Sequence, residues 1–290
     1  MYMYSIYGIN VSSNIKIDYV NKLNDCNEKI NKLLNLYLEV RYDYKEKEIS
    51  PITITQIDET INIDLNPFAF YTIDIGNKLI RCSACNYEAF FSTFFNIPLS
   101  VYTILSGEFI LHTSSMLIND KLICFIGEKG IGKSTTSRYL ENEDIEQYSD
   151  DTLKIDSNNC GYRGNKLTKL NVDSLKFLKN VKFTGHSNAV GKKYIELNSD
   201  YTPHVIGAII LLKRGAEKIT FSEIKSEMAY YSVLLSNVIG INYFTSDMIK
   251  KAITLVKKIH IPMYILKLPN DIEQLSMNKN EIIKLILNKI

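Results

Sequence analysis

Tryptophan is absent from this chain of 290 residues, and arginine, proline and histidine are scarce, at five, six and four residues. The formal net charge at pH 7 is only +2. A surface that binds bulk nucleic acid needs a strong excess of positive charge, and arginine is the side chain that binds phosphates and bases through two parallel hydrogen bonds. The composition therefore predicts no nucleic-acid partner.

Cysteine occurs five times, an odd number without the spacing of a disulfide framework. Cys82 and Cys85 form a single C-x-x-C motif. A structural zinc site needs a second pair of ligands at matched spacing, and the sequence has none. We expect the cysteines to be small buried apolar residues rather than metal ligands.

The sequence also lacks a signal peptide and a clear membrane span. Its first ten residues, MYMYSIYGIN, carry no positive charge, whereas a signal peptide begins with one. The stretch from Ala89 to Gly107 has no charged residue, but Asn96, Pro98 and several hydroxyl side chains interrupt it. Buried core is the better interpretation. We expect a cytoplasmic protein that does not bind membranes.

The chain does contain a phosphate-binding loop between an apolar strand and a helix. The run from Leu122 to Ile126 leads into Gly127-x-x-x-x-Gly132-Lys133-Ser134. Glycines let the backbone turn its N–H groups toward a phosphate, the lysine adds a positive charge, and the serine hydroxyl is placed to reach Mg²⁺. An accidental glycine-rich turn is the alternative. The predicted nucleotide-binding residues are Gly127, Glu128, Lys129, Gly130, Ile131, Gly132, Lys133, Ser134 and Thr135.

Two adjacent carboxylates, Asp150 and Asp151, follow the loop helix. Phosphoryl transfer to an alcohol needs a bound Mg²⁺ ion and a carboxylate that accepts the hydroxyl proton. Neighbouring side chains on an ideal strand point in opposite directions, so both acids face the nucleotide only at a strand end or a bulge. The structural alternative is an acid pair in a turn or at a helix N-terminus.

His112 is the third candidate for catalysis. It lies in a largely apolar stretch from Phe109 to Ile118 that precedes the strand leading into the loop. Pairing of these two strands would bring the imidazole near the loop. A histidine with a purely structural role is the alternative.

The predicted elements divide the chain into two regions. Residues 1–95 are interpreted as a small strand-rich N-terminal domain, with one helical candidate at Asp25–Leu38, and residues 96–290 as the phosphate-loop domain. A short helix is predicted from Pro98 to just before Gly107. A hairpin that turns at Asn119–Asp120 then leads into the loop.

These residues together resemble the HPr kinase/phosphorylase superfamily, which combines an L-H-(G/A) strand, a G-(D/E)-x-G-x-G-K-S loop and an (S/A)-D-D motif. The matching segments are Leu111–Ser115, Gly127–Thr135 and Ser149–Asp151. The serines after His112 and the threonine at 135 look more like the divergent branch found in ribosomal-peptide (lasso-type) biosynthetic clusters, whose members phosphorylate a serine of a precursor peptide. The Glu- and Gly-rich signature of HPr kinases is not recognisable after the acid pair, which argues against the carrier protein as the substrate.

The resemblance implies an α/β fold like that of HPr kinase and phosphoenolpyruvate carboxykinase, with a mixed sheet around the loop and a small strand-rich N-terminal domain. It implies an ATP- and Mg²⁺-dependent kinase acting on a hydroxyl group, with a serine of a peptide or protein as the expected acceptor. A small-molecule hydroxyl kinase and a nucleotide-binding regulatory module without turnover are the alternatives. A homo-oligomer is compatible with the sequence.

The resemblance also implies a role for each candidate residue. Lys133 and the loop N–H groups would hold the β- and γ-phosphates, and Ser134 and Asp150 would bind Mg²⁺. Asp151 would accept the proton of the hydroxyl, and His112 would orient the phosphate or the acid. Arg163 and Lys192–Lys193 would lie near the acceptor; the alternative is that they are solvated surface charges.

Overall fold

The computed structural model describes residues 1–23, 36–45, 48–170, 183–187, 193–270 and 277–289. The chain divides into two compact units, one of residues 1–110 and 238–255 and the other of residues 111–237 and 256–290. Each unit combines helices with a sheet that contains both parallel and antiparallel strand pairs, so the predicted α/β class is confirmed. The domain boundary predicted after residue 95 stays a prediction.

The first unit is built on a sheet of eight strands, β1 (Tyr2–Ile6), β2 (Ile9–Ser13), β3 (Asn21–Lys22), β4 (Leu36–Arg41), β5 (Thr53–Ile57), β6 (Thr60–Leu65), β7 (Ala69–Asp74) and β8 (Leu79–Ala84). Their order in the sheet is β3-β1-β2-β4-β8-β7-β6-β5. Buried and more exposed residues alternate along β6, β7 and β8, as expected for strands that cover a core with one face.

Strand β4 corrects one prediction. Leu36, Leu38 and Val40 are buried at alternate positions, a period of two that favours a strand over the predicted helix Asp25–Leu38. The helix prediction is therefore wrong for residues 36–38, and the rest of it lies outside the described residues.

The uncharged stretch from Ala89 to Gly107 forms two short helices, α1 (Tyr87–Phe94) and α2 (Ile97–Leu105), so the interpretation as buried core is confirmed. A proline lies in the first turn of α2, and Gly107, just beyond its end, has a φ of +92°. The same unit contains a 3-10 turn, Ile241–Tyr243, and most of a helix, Ser246–Val256. In the part of the chain that the structure describes, no helix is long and apolar enough to cross a membrane.

A short strand, β9 (Phe109–Leu111), leads into the second unit. The strands of this unit are β10 (Ser114–Ile118), β11 (Lys121–Ile126), β12 (Ile145–Ser149), β13 (Leu153–Ile155), β14 (Cys160–Arg163), β15 (Leu167–Leu170), β16 (Phe183–Ser187), β17 (Lys193–Glu196), β18 (His204–Arg214), β19 (Thr220–Glu223) and β20 (Met263–Leu268). Its helices are α3 (Lys133–Leu140), α4 (Glu227–Ser236) and α5 (Lys279–Leu287).

The main sheet of the second unit runs in the order β12-β10-β11-β18-β14-β13, with β20 also paired to β18 and β19 to β20. Strand β11, which leads into the loop, is antiparallel to β10 and parallel to β18. The predicted hairpin is confirmed, and its turn residues Asn119 and Asp120 have φ values of +48° and +58°, as in a type I′ turn. A mixed sheet therefore surrounds the loop.

The core of this unit holds the loop's flanking elements in place. Residues Leu122–Ile126 of β11 are all buried, because the strand is central and covered on both faces. Tyr139 and Leu140 at the end of α3 belong to the same apolar cluster as Ile282 and Ile286 of α5.

A second, three-stranded antiparallel sheet has the order β15-β17-β16.

Candidate active site

The loop predicted from the glycine spacing connects β11 to α3. Gly127, Gly130 and Gly132 have φ values of +140°, +85° and +97°. Helix α3 begins at Lys133, and its first hydrogen bond runs from Thr136 N to Gly132 O, at 2.8 Å. The N–H groups of a first helical turn have no acceptor within the helix, so this end of α3 favours an anion.

Lys133 folds back over the loop and is buried. Its Nζ donates to the carbonyl oxygens of Gly127, at 2.9 Å, and Glu128, at 3.3 Å. A phosphate at the loop would offer this ammonium group charged acceptors, which form stronger hydrogen bonds than neutral carbonyls do. Glu128, Lys129 and Gly130 are exposed at the tip of the loop.

Arg214, the last residue of β18, braces the loop from the side. Its Nε donates to Ile131 O at 3.1 Å and its Nη2 to Thr136 Oγ1 at 3.3 Å. Its Nη1 donates to Pro269 O at 3.0 Å. A Cβ atom on Gly132 would lie 2.9 Å from Nη2 of Arg214, so a larger residue here would displace the guanidinium as well as strain the left-handed backbone.

The serines that follow His112 in the sequence are buried and connect the loop helix to the strand that carries the acids. Ser114 Oγ lies 2.6 Å from Ser137 Oγ of α3, and Gln147 Nε2 of β12 donates to both hydroxyls, at 3.0 and 2.9 Å. Ser115 Oγ lies 2.6 Å from Ser149 Oγ. This network fixes α3 relative to the end of β12.

The acid pair lies at a strand end, which is the geometry that allows both side chains to reach one site. Strand β12 ends at Ser149 and β13 begins at Leu153. Asp151 has a φ of +66°, and Thr152 N donates to Asp150 O at 2.8 Å. The left-handed residue and the tight turn interrupt the alternation of a regular strand.

Asp150 is buried. Its Oδ2 accepts hydrogen bonds from Thr168 Oγ1, at 2.9 Å, and Lys169 N, at 3.1 Å. Its Oδ1 is buried without a partner of hydrogen-bond geometry among the described residues, although the Ser134 hydroxyl is near enough to lower the pKa of the carboxyl. Burial, followed by the charge of Asp151, nevertheless raises that pKa. The carboxylate is therefore costly to ionise unless a cation binds beside it.

Asp151 is half-exposed and lies between a lysine and a histidine. Its Oδ2 accepts a hydrogen bond from Lys169 Nζ at 2.7 Å. Its Oδ1 lies 3.8 Å from Nε2 of His112. The two oxygens of one carboxylate thus face two different basic groups.

His112 lies between two strands rather than inside one, since β9 ends at Leu111 and β10 begins at Ser114. Its backbone N–H donates to Asn237 O at 2.8 Å. Burial and the charge of Lys133 lower the pKa of the imidazole, and the charge of Asp151 only partly opposes them. The neutral imidazole therefore predominates at pH 7.

The structure thus brings Lys133, Ser134, Asp150, Asp151 and His112 together. Among the remaining loop positions, Ile131 packs against the apolar core of the unit, and Thr135 is half-buried in the first turn of α3.

Arg163 and the two adjacent lysines have different environments, and their expected position near the acceptor stays a prediction. Arg163 is buried, not a solvated surface charge: its Nη1 donates to Ser199 Oγ and to two backbone carbonyls, and its guanidinium lies over the rings of Tyr148 and Tyr201. Lys193 is exposed on β17. Lys192 lies outside the described residues.

Several site residues were not predicted from the sequence. Thr168 and Lys169 contact the acid pair from β15, and Asn237 Oδ1 accepts a hydrogen bond from Gly127 N at 3.2 Å. None of these residues has a distinctive neighbouring motif; the one local signal is that polar Thr168 and Lys169 interrupt a buried strand between two leucines.

No model of a known protein family matches the sequence, and no curated protein matches it. Among solved structures, the chain is similar to the HPr(Ser) kinase/phosphatase from Coxiella burnetii, with 12% sequence identity, and the match covers 62% of this chain and 91% of that chain. The TM-score is 0.32. A similarity of this size supports no conclusion about activity, so function has to be inferred from the residues of the site.

Proposed function

We propose that this protein is an ATP- and Mg²⁺-dependent kinase that transfers the γ-phosphate to a hydroxyl group, and that the acceptor is a serine of a peptide or protein. The observation that carries the proposal is the meeting of two adjacent carboxylates, Asp150 and Asp151, with the phosphate loop. The loop supplies Lys133 and a helix N-terminus, which suit a nucleotide phosphate. The carboxylates supply the remaining groups that transfer to a hydroxyl requires.

The first turn of α3 and Asp150 fit a magnesium ion. Asp150 Oδ1 is buried and lacks a hydrogen-bond partner in the described part of the chain, and the Ser134 hydroxyl is close to this carboxyl. No group of three His, Cys, Asp or Glu side chains that could hold a metal is present among the described residues. Mg²⁺ is commonly held by one or two protein ligands together with substrate phosphates and water, so Ser134 and Asp150 are sufficient as its protein ligands.

A bound Mg²⁺ ion would neutralise charge that develops on the phosphates. Lys133 would add its positive charge at the same place, after exchanging the carbonyls of Gly127 and Glu128 for phosphate oxygens. The hydrogen bonds from Thr168 and Lys169 N would stabilise the ionised carboxylate of Asp150 as a metal ligand.

Asp151 is the proposed base. It is half-exposed, so an acceptor can reach it, whereas Asp150 is buried. The acceptor oxygen would form a bond to the γ-phosphorus, the bond to the oxygen that bridges the β- and γ-phosphates would break, and the hydroxyl proton would pass to Asp151. Neutral His112, 3.8 Å from Asp151, would act as a hydrogen-bond partner that orients the carboxylate or a phosphate oxygen.

The test is to incubate the protein with ATP, Mg²⁺ and a candidate acceptor, namely any peptide or protein encoded beside its gene, and to measure the mass of that acceptor. We expect an increase of about 80 Da, which is lost when the target serine is replaced by alanine. Lys133→Ala is the matched enzyme control, because it removes the loop charge; we expect it to remove transfer, and circular dichroism checks that the variant is still folded.

Two outcomes would change the proposal. Phosphate that appears only on a free amino acid, a sugar or another metabolite would make the protein a small-molecule hydroxyl kinase. Binding of ATP without transfer to any hydroxyl acceptor would favour a regulatory module without turnover. Wild-type turnover by Lys133→Ala at saturating ATP would contradict the assignment of the loop.

A further inference from the structure

The side chains of two adjacent residues of β15 contact the two adjacent acids, one each. Thr168 Oγ1 donates to Asp150 Oδ2 at 2.9 Å, and Lys169 Nζ donates to Asp151 Oδ2 at 2.7 Å. The backbone N–H of Lys169 adds a second hydrogen bond to Asp150 Oδ2, at 3.1 Å. The acids follow the end of β12 in the main sheet, whereas β15 belongs to the small three-stranded sheet. Separate parts of the second unit therefore meet at the acid pair.

Lys169 is well placed to stay charged at this position. Burial is the largest influence and lowers the pKa of its ammonium group, but the charge of Asp151, Tyr194 and the hydrogen bond to Asp151 together outweigh it, and the pKa is raised. Its Nζ lies 5.6 Å from the centre of the Tyr194 ring, and this tyrosine is buried on the neighbouring strand β17. The aromatic ring and the carboxylate confine the ammonium group from two sides.

The contact also determines how the carboxylate of Asp151 is turned. Lys169 binds Oδ2, and Oδ1 is the oxygen that faces His112. Asp151 has a positive φ, which is unfavourable for a residue with a side chain and persists only where the surroundings hold it. The ion pair with Lys169, at 2.7 Å, fixes the position of the side chain of this residue.

We propose that Lys169 is a positioning residue for phosphoryl transfer, which holds Asp151 so that its Oδ1 faces the acceptor side of the site beside His112. This inference rests on the function proposed above and adds a residue to its machinery. Thr168 is the corresponding positioning residue for Asp150, the proposed metal ligand. The pair Thr168–Lys169 thus gives each acid its own partner, and the two acids are expected to respond to different substitutions.

Lys166 provides a matched control for the lysine. It precedes β15 by one residue, and its Nζ lies 4.9 Å from the centre of the Tyr201 ring, which resembles the arrangement of Lys169 over Tyr194. Among the described residues, the charges that act on Lys166 are those of Arg163, Glu196, Asp200 and Glu146 rather than those of the two acids. Lys166→Met therefore removes a lysine over a tyrosine from the same region without disturbing Asp150 or Asp151.

The experiment compares wild type, Lys169→Met, Lys169→Arg, Thr168→Val and Lys166→Met by steady-state kinetics, with the dissociation constant of Mg·ATP measured separately by calorimetry. We expect Lys169→Met to lower kcat by about 10- to 100-fold, the usual effect of removing a partner that orients a functional side chain. The dissociation constant of Mg·ATP should stay within about 3-fold, since Lys169 does not contact the loop. We expect Lys169→Arg to recover part of kcat, and Lys166→Met to match wild type.

Thr168→Val should show a different defect. It should need a higher Mg²⁺ concentration for half-maximal activity, whereas its kcat at saturating Mg²⁺ should stay close to that of wild type. If Lys169→Met is too unstable to assay, Lys169→Ala with added propylammonium ions replaces it. Recovery of kcat by the added amine is expected for a positioning role and is not expected if the lysine only stabilises the fold.

The outcomes separate this inference from the function it rests on. If wild type transfers phosphate and Lys169→Met keeps the wild-type kcat, the inference is wrong and the proposed function stands. If Lys169→Met lowers stability and ATP affinity as well as kcat, and neither arginine nor added amine restores kcat, the inference is also wrong, because that pattern indicates a structural role. If wild type transfers phosphate to no hydroxyl acceptor, the proposed function fails and the inference fails with it.

Discussion

Replacing Gly132 by alanine is expected to lower the free energy of unfolding by about 2–5 kcal/mol, and the structure separates this value into two parts. The φ of Gly132 is +97°, and a left-handed conformation costs a residue with a Cβ atom about 1–2 kcal/mol. The new Cβ would also lie 2.9 Å from Nη2 of Arg214, so the guanidinium has to move. Its hydrogen bonds to Ile131 O and Thr136 Oγ1 are then weakened or lost, at about 0.5–1.5 kcal/mol each.

Gly130 is the matched control for the backbone contribution. Its φ is +85°, but a Cβ atom there would meet nothing within 4 Å, so Gly130→Ala should cost only about 1–2 kcal/mol. Urea denaturation of both variants gives the comparison. In an Arg214→Ala background the clash is absent, and Gly132→Ala should then cost no more than Gly130→Ala does. Equal costs for the two glycines in the wild-type background would refute the proposed brace of the loop by Arg214.

The acid pair gives the remaining predictions. Asp151→Asn should lower kcat by about 10²- to 10⁴-fold, as expected for loss of a general base, with little change in nucleotide affinity; full kcat in this variant would exclude Asp151 as the base. Asp150→Asn should raise the Mg²⁺ concentration needed for half-maximal activity, and an exchange of the two phenotypes would exchange the two roles. Because the pKa of Asp150 is raised above 3.8 in the folded state, its contribution to stability is complete below pH 3.8 and is lost as the pH rises through the folded pKa. Without metal, Asp150→Asn should therefore have a larger free energy of unfolding than wild type at pH 7, and the difference should disappear at low pH. Urea denaturation in EDTA at pH 7 and at low pH measures both values. A difference that persists unchanged at low pH would rule out ionisation of Asp150 as its cause.

The loop and its flanking elements could be predicted because each depends on residues close together in the chain. The Asn119–Asp120 turn, the apolar strand Lys121–Ile126 and the helix that begins at Lys133 all follow from local sequence. Turn residues that tolerate positive φ and glycines at fixed spacing specify backbone conformation without help from distant residues.

The acid pair was predicted as a pair, but the sequence left its geometry open. A regular strand would have pointed Asp150 and Asp151 in opposite directions. The positive φ of Asp151 and the turn at Thr152 removed that alternative. Asp151 also forms an ion pair with Lys169, a residue on another sheet, and the sequence around the acids does not indicate this contact.

The burial of Arg163 is another feature that the local sequence does not predict. A charged side chain in an unremarkable strand is expected at the surface, because burial of an unpaired charge is costly. Here Tyr148, Ser199 and Tyr201 surround the guanidinium and supply aromatic faces and oxygen acceptors. These partners come from segments that are distant in sequence from β14, so no pattern near Arg163 indicates them.

The sequence by itself determined the chemistry that is available: a loop suited to phosphate, a lysine, a serine hydroxyl, two carboxylates and a histidine. Only the tertiary structure decided which of these groups contact one another and which additional residues hold them. Arg214 reaches the loop from the end of β18, and Lys169 reaches Asp151 from β15. Motif spacing reflects the local backbone, whereas such contacts depend on strand order and register, which are set by the packing of the whole unit.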